Sequence, residues 1–149
     1  MVWLCMTTRE LIVSPRTAHP NSAWVAEQTD AFLEQTLSRD EKSTIVMHDR
    51  DTKVTQEFVE KLKQKGVQHN ALPKASPNLN GRCERVIFTL KHECLKKFLI
   101  FGKRHLDHLM TEFTAYYNTH RSHTERDHQP PLAVVPKEVL KVDCDEIVV

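Results

Sequence analysis

The sequence predicts an α/β fold in one domain, in which helices flank a mixed sheet. An antiparallel hairpin is predicted over residues 2–14, because two β-rich apolar runs, VWLCM and LIVSP, are joined by the short polar connection TTRE. A parallel pair is predicted further along, where the strand pattern STIVMH, the helix pattern TQEFVEKLKQKG and the strand pattern VQHNAL follow one another. A strand, a helix and a strand in this order form a right-handed βαβ unit.

Four helices are predicted from apolar residues at helical spacing. The first follows the cap-forming Asn21 in TAHPNSAWVAEQTDAFLEQTL, and the second, over residues 55–66, begins at a Thr and ends at a Gly that suits a helix C-terminus. The third is predicted over residues 82–98 and the fourth over residues 105–118, and each carries an apolar stripe. Beyond them, the run QPPLAVVP favours extended chain.

Composition argues against a membrane protein and favours a cytoplasmic one. No apolar run approaches the roughly 18 residues of a membrane span, and the N-terminal MVWLCM is too short for the core of a signal peptide. The four cysteines show no paired spacing, which is typical of a reduced compartment. We therefore expect a cytoplasmic protein with no membrane partner.

Charge is unevenly distributed along the chain, although its net value is only +1. Residues 82–104 carry seven basic side chains against two acidic ones, whereas the last twelve residues carry four acidic side chains against one basic. The basic residues of the third predicted helix are Arg82, Arg85, Lys91, Lys96 and Lys97. A basic helix is most often a solvated face, but it is also what a polyanionic partner such as DNA requires.

A candidate site is indicated where the apolar run IVMH ends in Asp49, Arg50 and Asp51. Open α/β sheets bind ligands at the carboxyl ends of their strands. Because side chains alternate along a strand, Asp49 and Asp51 are expected on one side and Arg50 on the other. A lone Asp at such a position most often caps the following turn.

Glu84 is the second carboxylate of this candidate site. It lies at the rim of the third helix's apolar stripe, and a helix packed at the sheet edge would bring it beside Asp49. Two such carboxylates suit Mg²⁺ or Mn²⁺, and a pair of these ions supports in-line displacement at phosphorus. A Glu near a helix N-terminus is also favoured by the helix dipole, which is the simpler explanation of Glu84 taken alone.

The chain resembles the catalytic core of retroviral-type integrases and of the related bacterial insertion-sequence transposases, the DDE strand transferases of RNase H-like fold. The motifs that carry the resemblance are HDRDTK, PNLNGRCER and YYNTHRSH, and 34 residues separate Asp49 from Glu84. The resemblance covers residues 2–132. It implies Mg²⁺-dependent DNA strand transfer, with Asp49 and Glu84 as the second and third catalytic carboxylates and metal ligands, and Lys91 as a contact to DNA phosphate.

The same resemblance implies a first catalytic Asp on a strand that precedes the hairpin and lies at the centre of a sheet of order 3-2-1-4-5. The sequence begins at Met1, inside what corresponds to strand 2, and Asp30 and Asp40 fall on a helix and a loop. We therefore expect an RNase H-like mixed sheet without its first, central strand, and a strand transferase that is catalytically deficient in this form. Residues 133–149 are expected to be a poorly ordered C-terminal extension. The implied partners are DNA, both mobile-element ends and target, and further copies of the chain.

Two other functions are consistent with the sequence. A non-catalytic DNA-binding remnant of a mobile element would use the basic helix alone, through phosphate contacts that are sensitive to salt. A zinc-binding or purely structural module would use ligands among His92, Cys94, His105, His108, His120 and His123. No Cys-x2-Cys pair is present, and Cys83 and Cys94 fall on the apolar stripe, so the zinc site is the weakest hypothesis.

Overall fold

The computed structural model describes residues 1–38, 43–73 and 77–132, with the backbone alone for residues 77–80. The strands are β1 (Val2–Leu4), β2 (Leu11–Val13), β3 (Ile45–His48) and β4 (Gln68–Ala71). The helices are α1 (Ser22–Leu37), α2 (Gln56–Gln64), α3 (Pro77–Thr89) and α4 (Gly102–Thr119). Irregular turns are the π-helical Leu90–Cys94, which continues α3, and the 3-10 turns Leu95–Lys97 and Thr124–Arg126. The predicted C-terminal extension, residues 133–149, lies outside the described residues.

The predicted hairpin and the predicted parallel pair are both present, as two separate sheets. β1 pairs antiparallel with β2, with Trp3 opposite Ile12, and β3 pairs parallel with β4, with Val46 opposite His69. In the part of the chain that the structure describes, each sheet has two strands, so β1 and β3 do not join into one mixed sheet. β1 and β3 instead border the same two cavities, since Trp3 and Met47 line both of them.

This separation leaves β3 less buried than its sequence predicts. Val46 is only 6% exposed, but Ile45 is 55% and Met47 45% exposed. The alternation of side chains explains the difference, because Val46 faces the helices α1 and α2 while its neighbours face the cavity side. The apolar run of Ile45, Val46 and Met47 predicts a short buried strand, and this prediction is corrected to a strand that is buried on one face.

Two hydrophobic clusters hold the described elements together. The first joins β2, α3 and α4 through Leu11, Val86, Leu90, Cys94, Leu109, Phe113 and Tyr117. The second joins α1, α2 and the parallel pair through Val25, Phe32, Leu33, Val46, Phe58, Leu62 and Val67. β1 belongs to both, because Val2 and Leu4 pack on the first cluster and Trp3 on the second. Each fully buried Leu or Phe contributes about 1.5–3 kcal/mol through removal of apolar surface from water.

Local signals account for most helix ends. The Asn21 side chain accepts a hydrogen bond from the Trp24 N–H at 2.9 Å and caps α1, as predicted. Gly66 follows α2 with φ +74°, a conformation that favours glycine. α3 begins at Pro77, five residues before the predicted start, which suits the fixed φ of proline in a first helical turn. Glu84 therefore lies in the second turn of α3, where the helix dipole explains it less well.

Asn118 on α4 fixes this helix to the hairpin. Its side-chain oxygen accepts a hydrogen bond from the Leu11 N–H at 2.8 Å, and its side-chain nitrogen donates one to the Leu11 carbonyl, also at 2.8 Å. The Asn118 carbonyl accepts a further bond from the Leu132 N–H at 2.8 Å. Asn118 thus connects α4 to β2 through its side-chain amide, and to the chain that follows α4 through its backbone carbonyl. Within the described residues, no helix is long and apolar enough to cross a membrane.

Candidate active site

Asp49 lies directly after β3, at the carboxyl end of the strand. Its side-chain oxygen accepts a hydrogen bond from the Asp51 N–H at 3.2 Å, and the Asp51 carboxylate accepts one from the Lys53 N–H at 2.9 Å. These bonds to the Lys53 backbone and then to its ammonium group lower the pKa of Asp51. Arg50 points elsewhere and donates to the Leu72 carbonyl at 2.9 Å. Both Asp residues therefore shape the turn, and the exposed Asp49 keeps oxygen atoms accessible to solvent.

Cys83 lies near both Asp49 and Glu84. The thiol is half-buried on α3, and its pKa is raised by burial first and then by the negative charges of Asp49 and Glu84. Asp49 and Cys83 also line the same cavity, and Glu84 directly follows Cys83 on α3. The tertiary structure thus brings the end of β3 and the second turn of α3 to the same edge of the molecule.

Asp49 and Glu84 are ligands of the type that a divalent cation prefers, but two carboxylates are too few to hold one alone. Carboxylate oxygens are the hard ligands that Mg²⁺ and Mn²⁺ prefer, and Mg²⁺ is often held by one or two of them with water and substrate oxygens completing its shell. Among the described residues, no three His, Cys, Asp or Glu side chains lie close enough together to hold a metal ion. Asp49 and Glu84 would therefore hold such an ion only with further oxygen ligands.

Three of the candidate zinc ligands make contacts with neighbouring protein groups instead. The His92 ring stacks on Phe88, and the His105 ring accepts a hydrogen bond from the Phe101 N–H at 3.1 Å. Cys94 is buried at 3% exposure in the first cluster. These contacts explain three of the candidate ligands as packing or local polar interactions, which leaves the zinc hypothesis without structural support.

The five basic residues of the predicted DNA-binding helix are all exposed: Arg82, Arg85, Lys91, Lys96 and Lys97. The first three lie on α3 or its π-helical continuation, and the last two lie on the 3-10 turn that follows. The Arg82 guanidinium lies 3.9 Å from the Glu125 carboxylate, and the Lys96 ammonium lies 2.9 Å from His92 Nε2. The surface beyond Glu84 is therefore predominantly cationic, as the charge distribution predicts.

Arg121 holds the chain that follows α4 in place, and the sequence did not indicate its partner. Its guanidinium donates two hydrogen bonds to the Glu93 carboxylate, at 2.9 and 2.8 Å, and lies 5.6 Å from the centre of the Tyr117 ring. The hydrogen bonds from Arg121 lower the pKa of Glu93, so the ion pair persists below the ordinary titration range of a Glu. The pair ties the chain after α4 to the π-helical turn. The YYNTHRSH motif marked the segment, but only spatial proximity identifies Glu93 as the partner.

Comparison with known proteins shows which family part of the chain resembles. The sequence model of the family described as Integrase core domain matches residues 65–131. This part of the chain is similar to the integrase core domain family. The integrase core segment contains Glu84, the exposed basic residues and Arg121, whereas Asp49 lies outside it. A search of curated proteins found no match to the chain.

A solved structure resembles the chain over a greater length than the integrase core segment. It is the cryo-EM structure of a simian T-cell lymphotropic virus intasome in complex with the PP2A regulatory subunit B56 gamma. The matched chain is 17% identical, with a TM-score of 0.65, and the match covers 93% of the present chain and 51% of the intasome-complex chain. The present chain thus spans about half the length of that chain, and the similarity concerns the fold.

Proposed function

We propose that this chain is an integrase catalytic-core protein for DNA integration, whose Mg²⁺-dependent strand transfer is deficient in this form. Its catalytic core-like domain comprises residues 2–132. One observation carries the proposal: Asp49, at the end of β3, and Cys83, which directly precedes Glu84 on α3, line the same cavity. The similarity of residues 65–131 to the integrase core domain family adds support from the sequence.

The proposal includes an RNase H-like arrangement in which a central strand would lie between β1 and β3. A cavity of about 1160 Å³ has Met1 and Asp49 in its lining, and a second of about 610 Å³ has Cys5 and Thr44. A strand that paired antiparallel with β1 and parallel with β3 would join the two sheets in the order β2, β1, strand, β3, β4.

The proposed chemistry is a displacement at phosphorus. Asp49 and Glu84 would hold Mg²⁺ or Mn²⁺ through their carboxylate oxygens, from a strand end and from a helix. The bound ion would supply activation of the attacking oxygen and stabilisation of the leaving one. Two carboxylates orient the reacting groups less well than three, and misplacement alone can lower a rate on the order of 10²-fold. The deficiency follows from this incomplete ligand set.

The proposed partner is DNA, both mobile-element ends and target. Arg82, Arg85, Lys91, Lys96 and Lys97 would bind phosphates beside the metal-binding carboxylates. Further copies of the chain are proposed as partners too, with sedimentation as the direct test. A non-catalytic DNA-binding remnant is the second candidate, since the exposed cations favour binding whether or not a metal is held.

Paramagnetic Mn²⁺ tests the metal site directly. In the full chain, Mn²⁺ is expected to broaden the NMR signals of amides near Asp49 and Glu84 before all others, because broadening falls steeply with distance from the ion. Asp49→Asn and Glu84→Gln are each expected to remove this selectivity, since each removes a charged ligand. Glu60→Gln, an exposed change on α2, is the matched control.

A strand-transfer assay tests the deficiency separately. The unsubstituted chain with Mg²⁺ is expected to give no more product than Glu84→Gln. Robust product that depends on Glu84 would show a competent catalyst and contradict the proposed deficiency. If the unsubstituted chain binds DNA but shows no selective Mn²⁺ broadening, the second candidate function, a DNA-binding remnant, is favoured.

Salt dependence tests the basic surface. The affinity for duplex DNA is expected to fall steeply with salt, and Lys91→Ala should reduce the slope of log K against log salt by about 0.9, the value for one lost phosphate contact. Lys63→Ala, an exposed change on α2, should leave the slope unchanged. Fluorescence anisotropy at several salt concentrations measures both. Equal slopes for the two variants, or no binding at low salt, would contradict phosphate binding by Lys91.

A further inference from the structure

Phe88 is an aromatic side chain on the solvent side of α3. It is 52% exposed, whereas Val86 and Leu90, its apolar neighbours in sequence, are 4% and 7% exposed and belong to the first cluster. Large apolar side chains of a surface helix normally face the core. The core packing of α3 therefore does not account for Phe88.

His92 holds the Phe88 ring in place. The two rings stack with their centres 3.8 Å apart and their planes 20° from parallel. His92 Nδ1 lies 2.9 Å from the Phe88 carbonyl oxygen, which can only accept, so Nδ1 carries the proton and donates. Nε2 is then free to accept from the Lys96 ammonium at 2.9 Å. With one ring face covered by the imidazole and the imidazole itself held at both nitrogens, Phe88 is a preorganised flat surface.

Cations surround this flat surface. Arg85 lies three residues before Phe88 and Lys91 three residues after it, which places both beside Phe88 on the helix surface. Lys96 lies beyond His92, and all three cations are exposed. An aromatic ring between cations is the combination that binds unpaired nucleotides, with the base stacked on the ring and phosphates beside the cations. A paired duplex offers the phosphates but keeps its bases stacked on one another.

We propose that Phe88, backed by His92, stacks on an unpaired base of DNA, while Arg85, Lys91 and Lys96 hold the adjoining phosphates. This inference rests on the proposed function and specifies its substrate class as DNA with an unpaired terminal segment. Phe88 follows Glu84 by four residues, a rise of about 6 Å along the helix. The stacked nucleotide therefore lies about one helical turn from the proposed metal-binding carboxylate, where a strand end would have to be placed for transfer.

The test compares three fluorescent oligonucleotides of equal length with the full 149-residue chain: single-stranded DNA, the blunt duplex, and a strand with abasic sites. Base stacking on an aromatic ring contributes about 1–3 kcal/mol per base, so Phe88→Ala should weaken single-strand binding by about 5- to 150-fold. Phe88→Trp should retain the binding, and Phe88→Leu should not. Phe98→Ala is the matched control, because Phe98 is also 52% exposed but is followed by no stacked His.

Affinity for the blunt duplex should change by less than about twofold in Phe88→Ala, since duplex binding depends on phosphate contacts. The abasic strand should bind the unsubstituted chain as weakly as Phe88→Ala binds the normal strand. Equal losses for single strand and duplex, full binding of the abasic strand, or full binding by Phe88→Leu would each overturn the stacking proposal. If the unsubstituted chain binds no DNA at low salt, the proposed function fails with it. If DNA binds and Phe88→Ala changes nothing, the stacking proposal alone fails.

Discussion

Phe58→Ala is expected to lower the free energy of unfolding by about 3–5 kcal/mol, the usual range for removing a buried aromatic ring. Phe58 is 1% exposed and lies at the centre of the second cluster. Its ring contacts His48 edge-on, with centres 5.3 Å apart, and stacks near Trp3 at 6.4 Å. The substitution would leave a cavity between α2 and β3, because a helix and a strand held at both ends cannot close it fully.

Urea denaturation followed by the fluorescence of the two tryptophans measures this loss. Phe58→Leu should retain most of the stability, since it keeps most of the apolar volume. Because His48 immediately precedes Asp49, Phe58→Ala should also weaken the selective Mn²⁺ broadening near Asp49. A loss below about 1 kcal/mol would show that α2 and β3 do not depend on this ring, since such values are typical of ordinary single substitutions.

Asn118→Ala is expected to lower the free energy of unfolding by about 2–4 kcal/mol, because it leaves the Leu11 N–H and carbonyl without their hydrogen-bond partners. Leu11 is 0% and Asn118 7% exposed, so water cannot replace the amide without rearrangement. Hydrogen exchange should show a specific consequence: the Leu11 amide, which donates to the Asn118 side chain, should exchange faster than its neighbours.

Thr119→Ala is the control for this substitution. Thr119 is the next residue on α4 and is exposed, so its replacement should change the stability by no more than about 0.5 kcal/mol. Equal stability of the two variants would contradict the proposed connection between α4 and the hairpin. Loss of stability in Asn118→Ala without faster exchange at Leu11 would place the effect elsewhere on α4.

Local sequence signals predicted the secondary structure of the chain well, where short-range physics is sufficient. The hairpin over residues 2–14 and the parallel βαβ unit both occur, because alternating apolar residues and polar turns specify neighbouring strands. The start of α3 was predicted five residues too late, at Arg82 rather than Pro77. The apolar stripe begins only at Cys83, and a polar first turn carries no periodic signal.

Local signals could not predict how the hairpin and the parallel strand pair are arranged relative to each other. Each strand pattern specifies an edge that can pair, but nothing in the pattern states which edges meet. The resemblance to integrases predicted a mixed sheet without its central strand, and it left open whether the strands beside the gap pair directly or stay unpaired. In the described residues they stay unpaired, in two separate sheets. The exposure of Ile45 and Met47 follows from that separation and could not be obtained from their apolar character alone.

The sequence indicated which residues form the candidate site, and the fold determined which of them lie close together. The motifs singled out Asp49, Glu84 and the basic residues of α3, because carboxylates near cations have a chemistry that can be recognised in one dimension. Asp49 and Cys83, which precedes Glu84, line one cavity, and this depends on how α3 packs against β1. The Phe88–His92 stack joins residues one helical turn apart, so it lies within the reach of helix periodicity. The Arg121–Glu93 ion pair joins residues 28 positions apart and arises only when α4 packs beside the turns that follow α3.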